Sequence, residues 1–125
     1  MIFTMHLNKE PFELIVSGKK TIEMRLFDTK RQSMGVGDTI EFINRADETQ
    51  RAVVEIVGKH IYYDFAGLYA DYDKKDLGYA DNEIADPKDM EKYYPLAEQH
   101  KNGVVGLEFR LLQVARAKKA TKKQK

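Results

Sequence analysis

The 125-residue sequence contains no cysteine and no tryptophan, and it has only three prolines. Without cysteine there is no disulfide framework, no thiol nucleophile and no Cys-ligated zinc or iron–sulfur centre. No apolar run approaches the roughly 18 residues that a membrane-spanning helix needs. Residues 1–8 also lack the basic start and the cleavage site of a signal peptide. We therefore expect a cytoplasmic protein that does not insert into a membrane.

The composition indicates a single folded domain. Hydrophobic residues make up 42% of the chain and charged residues 33%, which is typical of a soluble globular protein rather than a disordered one. A chain of this length buries about two-thirds of its unfolded surface, enough for one core. No internal repeat or linker interrupts it, and we expect a monomer.

The net charge of +1 hides a strong asymmetry. Residues 116–125 contain six basic residues and no acidic one, and the rest of the chain has 15 basic and 20 acidic residues, a net charge of −5. We therefore predict a folded domain over 1–115 and a disordered basic tail over 116–125 that adds non-specific affinity for RNA. Any anion site on the acidic body must be local.

Hydrophobic periodicity predicts five strands with helices inserted between them. The strands are expected over 2–7, 21–26, 39–43, 51–63 and 104–114. The helices are expected from Asn8 to Gly18, over 65–72, and over 87–101 with a break at Pro95. Gly58 should bend the long fourth strand. This order predicts an α+β fold, a small mixed β-barrel of five or six strands with two or three flanking helices.

The strongest local pattern is G-x-K-x-x-E-x-R, formed by Gly18, Lys20, Glu23 and Arg25. Glu23 and Arg25 are two apart on a strand and leave the same face, and Lys20 lies where the helix ends and the strand begins. Glu23 can orient either cation, and the remaining N–H donors of Lys20 and Arg25 can bind a phosphate or a base edge. The alternative is a surface ion-pair cluster worth under about 1 kcal/mol per pair.

A basic loop follows this motif. Residues 19–31 carry five basic and two acidic side chains, a local charge of +3 that includes Lys30 and Arg31. Phe27 offers a face for stacking a base, and Tyr63 belongs to an aromatic stretch that also suits stacking. The alternative for the basic loop is that it is simply solvated. The alternative for the aromatic stretch is that its side chains pack in the core.

The motif resembles that of the ASCH domain family, whose fold is similar to the PUA RNA-binding barrel. Three further segments also look like features of that family: Glu10-Pro11-Phe12, Gly37-Asp38 and Gly103-Val104-Val105-Gly106. The resemblance covers roughly residues 2–112. It implies a PUA-like barrel that binds RNA or a nucleotide in a cleft built around the motif.

The resemblance also implies a possible enzyme. Some small ASCH proteins are amidohydrolases that remove the acetyl group from N4-acetylcytidine with a lysine, a nucleophilic threonine and an acidic residue. Lys20 matches the lysine, Glu23 stands at the position of the threonine, and Asp76 aligns roughly with the acidic residue. A carboxylate serves as a base for water but not as that hydroxyl nucleophile. Ribonuclease activity is also associated with ASCH-like domains.

Three hypotheses therefore stand at this point. The first is an RNA- or nucleotide-binding domain, the second is a nucleoside amidohydrolase or ribonuclease using Lys20 and Glu23, and the third is a protein-interaction module. No cofactor or metal is expected, since the three histidines lack metal-ligand spacing. The residues predicted to bind the ligand are Lys20, Glu23, Arg25, Phe27, Lys30, Arg31 and Tyr63.

Overall fold

The computed structural model describes residues 1–116. These residues form one mixed β-sheet and the helices that connect its strands. Its strands are β1 (Ile2–Leu7), β2 (Ile22–Leu26), β3 (Thr39–Asn44), β4 (Arg51–Tyr62) and β5 (Val104–Ala115). The α-helices are α1 (Lys9–Val16), α2 (Thr29–Gln32), α3 (Phe65–Asp71) and α4 (Leu96–Asn102), with a 3-10 turn at Pro87–Met90. Within this part of the chain, no helix has the length and apolar character needed to cross a bilayer.

The strand order is β1-β3-β4-β5-β2, with β1 parallel to β3 and every other pair antiparallel. The α+β class is therefore confirmed, but the sheet is open and the predicted closed barrel is not confirmed. Side chains of β2 and α2, and not a backbone ladder, reach the edge strand β1 across the gap. Arg25 Nη2 lies 3.4 Å from the His6 carbonyl oxygen, and the Lys30 ammonium donates to the Thr4 carbonyl.

Local signals account for where the elements begin, bend and end. The register of β4 against β5 shifts between Ile56 and Gly58, where the bend was predicted. A Cβ at Gly58 would lie 2.8 Å from Glu108 Oε1, so a larger residue there would displace the Glu108 side chain. Pro95 divides the predicted third helix into the 3-10 turn and α4.

The described residues contain four α-helices where two or three were expected. The additional helix is α2, which lies in a segment predicted to be a loop. Asp28 caps it by accepting a hydrogen bond from the Arg31 backbone N–H at 3.0 Å. One helical turn shows no hydrophobic periodicity, which explains why the sequence pattern did not reveal it.

Two hydrophobic clusters hold the elements together. The larger one packs α1, through Phe12 and Ile15, against the residues of β3, β4 and β5 that face it. The second lies where α3 packs on β5 and beside β2, and includes Ile22, Phe65 and Leu68. Leu77 and Met90 join this second cluster, which ties the long segment between α3 and α4 onto β2. That segment forms one wall of the site described next.

Candidate functional site

A cleft of about 520 Å³ lies at the open seam of the sheet, between the end of β1 and the middle of β2. His6 and Leu7 line it from β1, and Glu23, Met24 and Arg25 line it from β2. Lys20, two residues before the start of β2, also lines it. The three charged residues of the motif therefore share one cavity, in the size range of small-molecule sites.

Glu23 is held between the two cations of the motif. Its Oε2 accepts a hydrogen bond from Arg25 Nε at 2.6 Å, and its Oε1 lies 3.9 Å from Lys20 Nζ. Lys20 and Glu23 are only 6% and 5% exposed. The group is therefore a buried charge network, not the surface ion-pair cluster that was the alternative. Breaking such a network leaves an uncompensated buried charge.

The segment after α3 buries this network. The Asp76 carbonyl accepts hydrogen bonds from the backbone N–H groups of Thr21 and Ile22, and the Leu77 carbonyl accepts one from Lys20 Nζ at 3.1 Å. Gly78 has a φ of +103°, and a Cβ there would lie 3.3 Å from Lys20 Cδ. The chain thus crosses the lysine side chain at a position that favours glycine.

Asp76 itself does not line the cleft, although it was a candidate catalytic residue. Its Oδ1 accepts a hydrogen bond from Thr21 Oγ1 at 3.1 Å, and its carbonyl is bonded to the start of β2. These contacts attach the segment to β2. The hydroxyl of Thr21, which lies within the motif, is thus hydrogen-bonded to Asp76 and does not line the cavity.

Burial acts on the charges of both cations. Removal of water lowers the pKa of Lys20; the negative charge of Glu23 opposes this effect and the positive charge of Arg25 adds to it. Burial also disfavours the charge on Arg25, but the attraction and hydrogen bond of Glu23, with a smaller contribution from Tyr94, outweigh it and raise the pKa of that guanidinium. Arg25 therefore stays charged, and Lys20 is the member of the network that gives up a proton more readily.

Lys20 should make stability rise with pH in the alkaline range. Its pKa is lower in the folded protein than the value near 10.4 of an unfolded chain, so between the two the unfolded state binds more protons. We expect the free energy of unfolding of the wild type, relative to Lys20→Met, to increase as pH rises through that window towards about 10. Urea unfolding of both proteins at successive pH values measures this difference, and a difference independent of pH would contradict the burial of a charged lysine.

The rest of the cleft is built from distant segments. Arg45 follows β3 and donates from Nη1 to Asn8 Oδ1 at 3.1 Å, while Lys92, Tyr93 and Tyr94 come from the chain before α4. The Tyr94 ring stacks on buried Phe65 at 5.9 Å. The motif did not reveal these residues. The adjacent tyrosines were a visible signal, but Arg45 and Lys92 look like ordinary polar loop residues.

The predicted loop residues do not line the cleft. Phe27 packs against the larger cluster and lies under Lys59 Nζ at 5.2 Å. Lys30 is bound to the Thr4 carbonyl, and Arg31 pairs with Asp28 at 2.9 Å. The helical turn of α2 directs these side chains to partners of their own. The local charge of +3 on residues 19–31 is therefore not concentrated in the cleft.

Tyr63 also lies outside the lining of the cleft. Its ring stacks on His100, with centroids 4.1 Å apart and planes 10° from parallel, and remains 67% exposed. His100 Nε2 in turn lies 3.1 Å from Asp64 Oδ2. Among residues 1–116, no group of three or more potential ligand side chains is arranged to hold a metal ion.

The model of the ASCH domain family matches residues 5–113. The chain belongs to the ASCH domain family. The match includes the motif, β2, the second half of β1 and the segment that covers Lys20, so all of the cleft lies within the ASCH domain. Comparison with curated proteins finds no significant match.

Solved structures share the architecture of this ASCH domain. The crystal structure of the hypothetical protein PH0355 has a TM-score of 0.75 and 27% identity, with 90% of this chain and 100% of that chain covered. The solution structure of PF0455 from Pyrococcus furiosus has a TM-score of 0.70 and 27% identity, covering 90% and 99%. ASCH from Zymomonas mobilis, at 15% identity and a TM-score of 0.64 over 91% and 72%, shares the fold.

Proposed function

We propose that the chain binds RNA or a nucleotide in the cleft at the seam between β1 and β2. The observation that carries this proposal is the buried network of Lys20, Glu23 and Arg25 facing a cavity large enough for one nucleotide. Ionisable groups are costly to bury, and their concentration in a cleft is typical of a functional site.

The charge of the lining suits a phosphate. Lys20, Arg25, Arg45 and Lys92 face a single carboxylate, that of Glu23, on a body that is otherwise acidic. The guanidinium of Arg25 uses Nε for Glu23 and one Nη for the His6 carbonyl, which leaves further donors in the same plane. A planar donor group held by a carboxylate is suited to bind phosphate or a base edge.

The aromatic and apolar part of the lining suits a base. Tyr93 and Tyr94 stand on one side of the cavity, and Met24 and Met90 contribute apolar surface. Tyr94 is held by its stacking on Phe65, whereas Tyr93 is 58% exposed. Stacking on aromatic rings binds unpaired bases with little dependence on sequence.

Calorimetric titration with the four ribonucleoside monophosphates and with a short mixed-sequence RNA tests this proposal. We expect binding that Arg45→Ala and Lys92→Ala each weaken several-fold, with a salt slope reduced by about one unit per lost phosphate contact. Lys101→Ala, a substitution on α4 outside the cleft, is the matched control. Binding equally affected by all three substitutions, or no binding, would refute the cleft as the site. Deleting residues 117–125, which lie outside the described part, should flatten the salt slope for RNA only.

The second candidate is a nucleoside hydrolase, favoured by the lowered pKa of Lys20 beside a carboxylate in a cleft. None of the described residues that line the cavity is serine, threonine or cysteine. In place of such a hydroxyl or thiol nucleophile, hydrolysis would use water activated by Glu23 or Lys20. The absence of an aliphatic hydroxyl and of a thiol among these described lining residues places this candidate second.

N4-acetylcytidine distinguishes the two candidates. We expect the wild type to release little or no acetate from it, as followed by chromatography of the nucleoside. Robust turnover that Lys20→Ala abolishes would instead establish the hydrolase, and Glu23→Gln should then lower turnover by roughly 100-fold or more while the substrate still binds.

A further inference from the structure

A second cavity, of about 370 Å³, adjoins the cleft, and we call it the second chamber. Four residues line both cavities: Met24, Met90, Lys92 and Tyr93. The residues that line only the second chamber come from α3 and from the segment between α3 and α4. Because the cleft alone has room for one nucleotide, a ligand that also fills the second chamber is longer than one nucleotide.

A chain of hydrogen bonds runs along the wall of the second chamber. The Tyr79 hydroxyl donates to Asp89 Oδ2 at 2.7 Å, so its oxygen accepts the hydrogen bond of 2.8 Å that joins it to the Tyr69 hydroxyl. Burial raises the pKa of both phenols, and the negative charge of Asp89 adds to this effect, so both hydroxyls keep their protons. Both protons are directed towards Asp89, and neither is available to a ligand.

The groups that this wall offers to a ligand are therefore acceptors. Asp89 Oδ1 has no hydrogen-bond donor within residues 1–116. Neither has Glu83 Oε2, since that carboxylate uses Oε1 for the Ala80 backbone N–H at 2.6 Å. The Tyr69 oxygen also retains a lone pair. A group bound here must offer hydrogen-bond donors to a carboxylate, in contrast to a group bound in the cation-rich cleft.

Guanine is the RNA base that fits these acceptors. Its Watson–Crick edge carries two neighbouring donors, N1–H and the N2 amino group, which one carboxylate accepts together. Adenine and cytosine place their amino group beside a ring nitrogen that is an acceptor, and the N3–H of uracil lies between two carbonyl oxygens. Those acceptors would face the carboxylate and be repelled by it. Bases of single-stranded RNA are read on this edge.

We propose that the second chamber binds a guanine base, and that the ligand is single-stranded RNA with a guanine next to the nucleotide in the cleft. This inference rests on the proposed function. Lys92 lines both cavities and suits the phosphodiester that joins the two nucleotides. Its ammonium lies 5.3 Å from the centroid of the Tyr93 ring. That ring, on a residue 58% exposed, lines both cavities and offers a stacking surface to the bases.

Calorimetric titration with the dinucleotides UpG, GpU, UpA and ApU tests the proposal. We expect one of the two guanine dinucleotides to bind about fivefold or more tighter than its adenine counterpart, which has the same ring system for stacking. Both orders are used because they reverse the direction of the strand through the two cavities. The corresponding inosine dinucleotide lacks the N2 amino group and should lose part of the preference.

Asp89→Asn should abolish the preference for guanine over adenine, because the amide replaces an acceptor with a donor. Asp81→Asn is the matched control. It makes the same change of charge at an exposed residue of the same segment, outside the lining of both cavities, and should retain the preference. Circular dichroism of both variants confirms that the fold is retained.

The outcomes separate this inference from the proposed function. Equal affinity for guanine and adenine dinucleotides, or a preference that survives Asp89→Asn, would overturn the guanine site and leave the cleft as the binding site. Absence of binding by every dinucleotide would overturn both. Direct titration with spermidine is the last arm, since an amine also offers donors to carboxylates. Spermidine binding that Asp89→Asn abolishes would show that the second chamber takes a cation and not a base.

Discussion

Replacing Glu23 with alanine should lower the free energy of unfolding by about 3–5 kcal/mol. The carboxylate is 5% exposed and is the partner of both Arg25 and Lys20. Its removal leaves two like charges close together and largely out of water, without a counter-charge. Lys20 relieves part of the cost by releasing its proton, whereas Arg25 remains charged. Urea unfolding near neutral pH, followed by circular dichroism, measures the loss.

Glu41→Ala is the matched control for this prediction. Glu41 on β3 forms an ion pair with Arg51 at 3.1 Å, but the two side chains are 30% and 40% exposed. Its removal should cost less than about 1 kcal/mol because solvent screens the pair. Similar losses for the two substitutions would contradict a buried network at Glu23. Glu23→Gln should fall between them, since the amide oxygen still accepts a hydrogen bond from Arg25.

Replacing Arg25 with alanine should weaken nucleotide binding about tenfold or more, the effect of losing a hydrogen bond from a charged donor. Arg25 lines the cleft, and Glu23 and the His6 carbonyl fix its orientation from either side of the seam. Arg25→Lys should recover only part of the affinity because an ammonium lacks the planar set of donors. Calorimetry of each variant with the tightest-binding ribonucleotide provides the measurement.

Arg31→Ala separates the cleft from the basic loop next to it. The motif and the loop were predicted to form one site, but Arg31 pairs with Asp28 and does not line the cavity. We expect this variant to retain wild-type affinity once its folding has been verified. An affinity loss equal to that of Arg25→Ala would place the ligand on the loop and refute the cleft.

The local sequence determined the secondary-structure elements and the grouping of Lys20, Glu23 and Arg25. Strict alternation predicted β2, whereas β-branched and aromatic residues predicted β4 and a near-continuous apolar run predicted β5. Pro95 and Gly58 marked a helix boundary and a strand bend because their backbone requirements are local. The spacing of Lys20, Glu23 and Arg25 also placed them together, since the strand itself determines that geometry.

Only the tertiary structure decided what surrounds those elements. Alternation placed Glu23 and Arg25 on one face of β2, but it did not indicate that the chain around Leu77 covers Lys20 and that the network is buried. Arg45, Lys92 and Tyr93 reach the cleft from segments far apart in sequence, and no local period records such contacts. The sequence also did not indicate that the side chains of Arg25 and Lys30 would reach β1, where a closed barrel would have backbone hydrogen bonds between strands. Periodicity reports which face of one element is apolar, whereas the pairing of edges and the covering of charges depend on how distant segments pack.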